Sequence, residues 1–214
     1  MTIIIINPNS TRSMTDAMVE TAQRAAPDLT FEGWTSQNAP PAIQGREDGL
    51  AATPMLLELA EKAARDGVGG IVIGCFDDTA LAEAARQKPC PVIGIGQAAY
   101  YACALRQRRF SVVTTLSVSV PVIEANIQHL GLAGHLGRVR ASGVPVLDLD
   151  TAPSSAEALV MRETRAAVQA DGIDAVILGC AGMVHVIDAV GASVPVPVVD
   201  PVAEAARAMM WLTA

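Results

Sequence analysis

Two stretches of the chain read almost alike, Gly69-Gly70-Ile71-Val72-Ile73-Gly74-Cys75 and Asp174-Ala175-Val176-Ile177-Leu178-Gly179-Cys180. Each is an apolar, β-branched run of strand length that ends in Gly-Cys. A continuous apolar run bounded by glycine is the pattern of a parallel strand buried on both faces. Each cysteine then stands at the carboxyl end of such a strand, the edge at which open α/β sheets bind ligands. Only 3% of the residues are aromatic while 51% are hydrophobic, so the core is built from Ala, Val, Ile and Leu, which suits helices packed on parallel sheets.

The rest of the chain repeats around these two strands. Asn7, just after a first strand at Ile3–Ile6, stands 107 residues before Thr114, which follows a strand starting at Phe110. Cys75 and Cys180 are 105 residues apart, and Pro91-Val92 and Pro197-Val198 are 106 apart. One shared offset means a two-fold duplication and not a solenoid, which needs shorter and more numerous units. The expected fold is α/β, with two similar lobes. Each is a mainly parallel four-stranded sheet flanked by helices, and the site lies in the cleft between them. The first lobe takes residues 1–96 with 201–214, the second 97–200.

In detail, the pattern predicts a helix over Ser13–Ala25 capped by Ser10, Thr11 or Ser13. A strand follows at Leu29–Trp34 and then a long loop, Thr35–Asp48, of a length that is often functional. Helices are expected at Leu50–Asp66, Thr79–Gln87, Gln97–Gln107, Ser119–Leu130 and Ser155–Ala170. The segment up to Gly143 reads as irregular and Val144–Leu149 as a strand. A helix follows Met183 as far as Val190, then a last strand at Val196–Asp200 and a closing helix that starts at Pro201.

The formal net charge of -7 argues against a nucleic-acid partner. No run has transmembrane length, and no basic, apolar leader precedes Ile3. The four cysteines fit neither a disulfide framework nor a zinc pattern. A cytoplasmic protein with reduced thiols and a small-molecule substrate is expected, with homo-oligomerisation left open.

Two thiols placed on opposite sides of a bound carbon can work as base and acid. One takes a proton, the facing one returns a proton, and the carbon is inverted. Helix N-termini following each cysteine would favour thiolate, while Asp77 and Asp78 would oppose it at Cys75. Small residues after the cysteines leave backbone N–H groups for a developing enolate. No metal, flavin or pyridoxal phosphate is required. A free cysteine is more often a small buried hydrophobe, the reading given to Cys90 and Cys103, but duplication lifts Cys75 and Cys180 above it. A redox disulfide between those two lacks Cys-x-x-Cys spacing. Asn7, Asn9 and Ser10 either form a turn and cap or bind a ligand's polar edge, and Thr114 and Thr115 are their equivalents. Asp77 and Asp78 read first as helix caps. His185 falls over a turn beyond Cys180, and Gly94-x-Gly96 lacks the third glycine of a dinucleotide fingerprint.

Asn7-Pro8-Asn9-Ser10-Thr11, Gly74-Cys75-Phe76-Asp77-Asp78 and Gly179-Cys180-Ala181-Gly182-Met183 together resemble the hydantoin racemase and allantoin racemase branch of the aspartate/glutamate racemase superfamily. The likeness spans essentially the whole chain. It implies a cofactor-independent two-base racemase, with Cys75 and Cys180 serving opposite faces of C5 in a hydantoin ring. It also implies a binding site drawn from Asn7, Asn9, Ser10, Phe76, Asp77, Ala181, Gly182 and Met183, to which the repeat adds Thr114 and Thr115. Gly182-Met183 stands where glutamate racemases usually carry a histidine, which favours cyclic ureides over free amino acids. In the long loop, Ala42-Ile43-Gln44-Gly45 replaces a Ser-Ile-Glu-Gly-like stretch, so Gln44 becomes a candidate for reading the ring substituent. Decarboxylase relatives typically keep only the second cysteine. Three other readings stand beside the hydantoin racemase: a dicarboxylate (maleate) cis-trans isomerase working through a cysteine adduct, an aspartate/glutamate-type racemase, and a binding protein without turnover.

Overall fold

The structure is a computed structural model that describes every residue except Gln87. The polypeptide builds two four-stranded sheets, all parallel, with the same order. In the first, β2 (Thr30–Thr35), β1 (Thr2–Asn7), β3 (Gly70–Ile73) and β4 (Val92–Gly94) lie side by side. In the second the order is β6 (Leu136–Ala141), β5 (Phe110–Thr114), β7 (Ala175–Gly179) and β8 (Val198–Val199). The helices follow the same beat: α1 (Arg12–Ala25), α2 (Arg46–Arg65), α3 (Leu81–Ala85) and α4 (Ile95–Leu105), then α5 (Val120–His129), α6 (Asp148–Thr151), α7 (Pro153–Ala170), α8 (Ile187–Ala192) and α9 (Pro201–Leu212). The expected α/β architecture and its duplication are both present.

Period-two alternation along the central strands divides the interior into layers. Ile4, Ile6, Ile71 and Ile73 turn outward onto Ala52, Leu56, Ala60 and Ala63 of α2. Val113, Val176 and Leu178 turn outward onto Ala156, Val160 and Ala167 of α7. The other faces share one core: Ile3, Ile5 and Val72 from the first sheet join Phe110, Val112, Ala175 and Ile177 from the second, with α1, α4 and α9 between. The closing helix α9 packs against both α1 and α4.

Several local expectations are corrected. The second-lobe edge strand is β6, inside the segment read as irregular, and Val144–Leu149 is not a strand. Gly137 and the two arginines hid β6. It is an edge strand with only Val139 buried, and Arg140 turns aside to pair with Asp171 and Glu163. Val144 and Val146 are apolar because they pack under the following helices and over the cleft. Helix α2 starts at Arg46, not Leu50, and runs through Pro54. Thr11 holds the N-cap position of α1, yet its hydroxyl donates to Pro41 O at 2.6 Å instead of capping. The helix expected over Thr79–Gln87 shrinks to α3, and its last residue lies outside the described residues. After Cys180 comes a 3₁₀ turn, Ala181–His185, before the short α8.

Asp78 does cap a helix, though a distant one. Its carboxylate accepts from Gly96 N at 3.0 Å and Gln97 N at 2.7 Å, at the start of α4. This gives Gly94 its reason, because a Cβ there would lie 1.9 Å from Asp78 Oδ1. Asp78 itself sits at φ 48°, a left-handed conformation that Asp and Asn tolerate better than Ala. Asp78→Ala therefore leaves two buried N–H groups unpaired and strains the turn, and should cost about 1–3 kcal/mol. Asp78→Asn keeps an acceptor and the turn preference, and removes a buried charge. Thermal or urea melts should show the alanine variant clearly weaker than the asparagine one; equal losses would contradict the capping account.

Candidate active site

The carboxyl ends of β1, β3, β5 and β7 converge between the sheets. There a small pocket is lined by Asn9, Met14, Ile43, residues 74–77, Thr114, Thr115, Ser119, Val146 and residues 179–182. Both Cys75 and Cys180 are on its wall. Cys75 is buried and Cys180 half-buried. The glycine before Cys180 is a matter of room: a Cβ on Gly179 would meet Val112 Cγ1 at 2.7 Å and the Phe76 ring at 3.2 Å. Phe76 thus reaches across from the first lobe, its ring edge-on to Tyr100 at 5.4 Å between centroids.

The polar loop after β1 holds its shape from within. Asn7 is completely buried, and its amide Nδ2 lies 2.9 Å from Asn9 Oδ1 and 3.0 Å from Thr15 Oγ1. Its Oδ1 accepts from Asn9 N. Asn7 is spent on the loop, and Asn9 is the residue that reaches the pocket, its Nδ2 beside Met14 Sδ at 3.6 Å. Thr114 Oγ1 donates to Gly179 O at 2.9 Å and locks the ends of β5 and β7 together. Ser10, Gln44 and Met183 do not line the pocket. Ser10 N donates to Pro40 O, Gln44 Oε1 accepts from Val146 N at 3.0 Å, and Met183 is buried in the outer core of the second lobe. His185 is exposed and points to no part of the pocket.

Met14, Ile43, Ser119 and Val146 escaped the sequence reading. Ile43 and Val146 carry no polar chemistry to flag them. One signal was available: Ser36 and Ser142, both buried, open the segments after β2 and β6 at the repeat's own spacing.

The electrostatics differ from the helix-dipole expectation. Helix α3 begins six residues beyond Cys75 and is too short and too far to act on it. Local donors replace it. Thr79 Oγ1 donates to Cys75 Sγ at 3.3 Å, and the backbone N–H of Asp77 also favours the thiolate. At Cys180 the N–H groups of Gly182 and Met183 play that part. Burial outweighs these donors at both sulfurs. It pushes Cys180 up to about 12 and raises Cys75 well above the ordinary thiol range, with the Asp77 charge adding to both. Asp77 is itself raised to about 6 by burial, against hydrogen bonds from Ser119 Oγ and Gly45 N–H.

The pocket holds about 30 Å³, roughly the share of one water molecule in the liquid. Asp77 also borders an outer groove of about 660 Å³ with Gly45, Thr79 and Val118, which no cysteine lines. A groove of about 640 Å³ between α4 and α9 is far larger than the pocket, yet no cysteine lines it. Chemistry, not size, marks the site. No cluster of three or more metal-ligating side chains occurs among the described residues.

Paired strand-end cysteines on a duplicated parallel α/β frame suit an enzyme that moves protons at carbon. A family model described as Asp/Glu/Hydantoin racemase matches residues 3–209. A hydantoin racemase from Rhizobium meliloti is 40% identical over 208 residues, 97% of this chain and 86% of that one. The structure of an allantoin racemase from Klebsiella pneumoniae superposes with a TM-score of 0.93 at 31% identity, covering 99% of this chain and 87% of that one. A glutamate racemase from Francisella tularensis shares the fold alone, with a TM-score of 0.68 at 17% identity over 98% of this chain and 79% of that one. Fold and relatives together define a racemase. The chain belongs to the Asp/Glu/Hydantoin racemase family.

Because the Asp77 carboxylate opposes ionisation of Cys75, Asp77→Asn should move the alkylation profile of Cys75 to lower pH. Site-resolved iodoacetamide labelling followed by mass spectrometry measures this. A profile that stays put, or moves up, would remove Asp77 from the electrostatics of the site.

Proposed function

We propose that this chain is a two-base racemase that inverts C5 of a 5-substituted hydantoin, with Cys75 and Cys180 as base and acid. The observation that carries the reading is the pair of sulfurs, delivered by equivalent strands of the two repeats to one pocket. The names of the relatives, hydantoin racemase and allantoin racemase, support the substrate class.

The C5–H bond of a hydantoin is acidified by the adjacent C4 carbonyl. One thiolate takes the proton, and the electron pair passes into the carbonyl as an enolate. The facing thiol then gives its proton to the opposite side of C5, so the cysteines finish with exchanged protonation states. Asn9 and Thr115 are the groups in the pocket suited to hold the ring's polar edge and the developing oxyanion. The ring exceeds the pocket's 30 Å³, so binding it requires the lining side chains to give way.

Single-enantiomer 5-substituted hydantoins, allantoin among them, incubated in heavy water should lose optical rotation while deuterium enters at C5. Cys75→Ser and Cys180→Ser should each slow inversion by about 10²–10⁴-fold, with residual exchange confined to one enantiomer in each variant. Absence of both decay and exchange above the spontaneous rate overturns the hydantoin reading, and a cysteine adduct with maleate would replace it.

The raised thiols set a pH dependence. Thiolate in the free enzyme grows as pH approaches the thiol values, with Cys180 near 12 and Cys75 raised as well. Hence kcat/KM should climb about tenfold per pH unit between roughly pH 7 and 9. A plateau already reached at pH 7 would show that substrate enters by another ionisation.

A further inference from the structure

Each repeat lays one strap over the cleft, in the segment between its second strand and the next long helix. The first runs from Ser36 to Gly45, the second from Ser142 to Leu147, and both open on a buried serine. The straps meet where Gln44 Oε1 accepts from Val146 N at 3.0 Å. That bond turns the Gln44 amide away from the pocket, and each strap presents a branched aliphatic side chain to it instead, Ile43 from the first and Val146 from the second. Ile43 packs in the cluster that contains Cys75. Val146 packs with Met14 and Ala42 against Cys180. One branched aliphatic group therefore shares a packing cluster with each sulfur, and both line the one pocket.

Inversion makes a geometric demand on such a pocket. With the ring's polar edge held, the two ring bonds at C5 stay in place, and the hydrogen and the substituent exchange faces. When the hydrogen faces Cys75 the substituent leans toward Cys180, and when it faces Cys180 the substituent leans toward Cys75. The substituent thus occupies two positions, one on each face of the ring.

Resting on the proposed C5 chemistry, we propose that Val146 and Ile43 are paired specificity residues, each holding the substituent of one enantiomer. Val146 takes it when the hydrogen faces Cys75, and Ile43 takes it when the hydrogen faces Cys180. Since both positions are aliphatic, hydrocarbon substituents, as in 5-alkyl- and 5-arylalkylhydantoins, fit them better than the polar ureido group of allantoin.

Racemisation supplies an unusually clean test. Its equilibrium constant is one, so kcat/KM must be equal for the two enantiomers in every variant, and asymmetry can appear only in KM and kcat separately. Initial rates with (R)- and (S)-5-isobutylhydantoin would be measured for the wild type, Ile43→Val, Val146→Ala and the exchange variant Ile43→Val/Val146→Ile, which conserves volume. Each methylene of lost contact should raise KM by about fourfold for the enantiomer that uses it and little for the other. The expected result is a KM(R)/KM(S) ratio that moves in opposite directions in Ile43→Val and Val146→Ala, while the exchange variant moves with Ile43→Val. Thermal melts confirm that each variant is folded. A ratio that stays unchanged, or moves the same way in both single variants of an active enzyme, overturns the pairing and leaves the racemase reading intact. A wild type that inverts neither isobutylhydantoin nor allantoin removes the reading and the pairing together.

Discussion

The structure depends on one constraint: the inner faces of both sheets are covered by the same core. Ile3, Ile5 and Val72 cannot leave water without Phe110, Val112 and Ile177 doing so as well. Neither half has an inner hydrophobic layer of its own, so the lobes are held face to face by the largest favourable term in folding. That is what brings β3 and β7 together with their carboxyl ends at one cleft. The meeting of Cys75 and Cys180 in one pocket follows from burial that has nothing to do with either sulfur.

Above this rigid floor the cover is light. The straps touch through Gln44 and Val146, and Ser13 Oγ donates to Asp150 at 2.7 Å. Asp77 joins the lobes again through Ser119 and through Asn126 Nδ2, which donates to its carbonyl at 2.8 Å. A few hydrogen bonds, each worth about 1 kcal/mol net, are a small barrier compared with the shared core. The weak links across the cleft therefore lie in the straps and loops, and the strong one in the shared core. Burial at the site pushes both thiols up, which favours their protonated form.

The sheet architecture was readable because its signals are dense. Four isoleucines in β1 and the two Gly-Cys runs admit little besides buried parallel strands, and the 105–107 residue spacing exposes the duplication. Edge strand β6 was not readable, since a strand with one buried residue and two arginines lacks the apolar pattern that marks its neighbours. The first strap reads correctly as a long loop, but the second does not, for the same kind of reason: Val144 and Val146 look like strand residues when one packs in the outer core and the other lines the pocket. Gln44 looks like a ligand contact when its carbonyl oxygen is engaged by Val146 N. Polar type alone could not separate Asn7, consumed by its own loop, from Asn9, which reaches the pocket.

The two halves are not capped alike. Helix α9 takes its N-terminal carboxylate from Asp200, the residue just before it. Its counterpart α4 has a glycine in that place and borrows Asp78 from the loop that carries Cys75. The first cysteine loop is therefore bolted to the helix bed by a carboxylate, whereas the segment after Cys180 is held by packing, with Ala181 and Val184 in the shared core and Met183 in the outer core of the second lobe. Anyone grafting loops between relatives of this fold would find residues 75–80 and 94–97 to be a single module, to be moved together or not at all, and the segment after Cys180 to be tied to the core it fills.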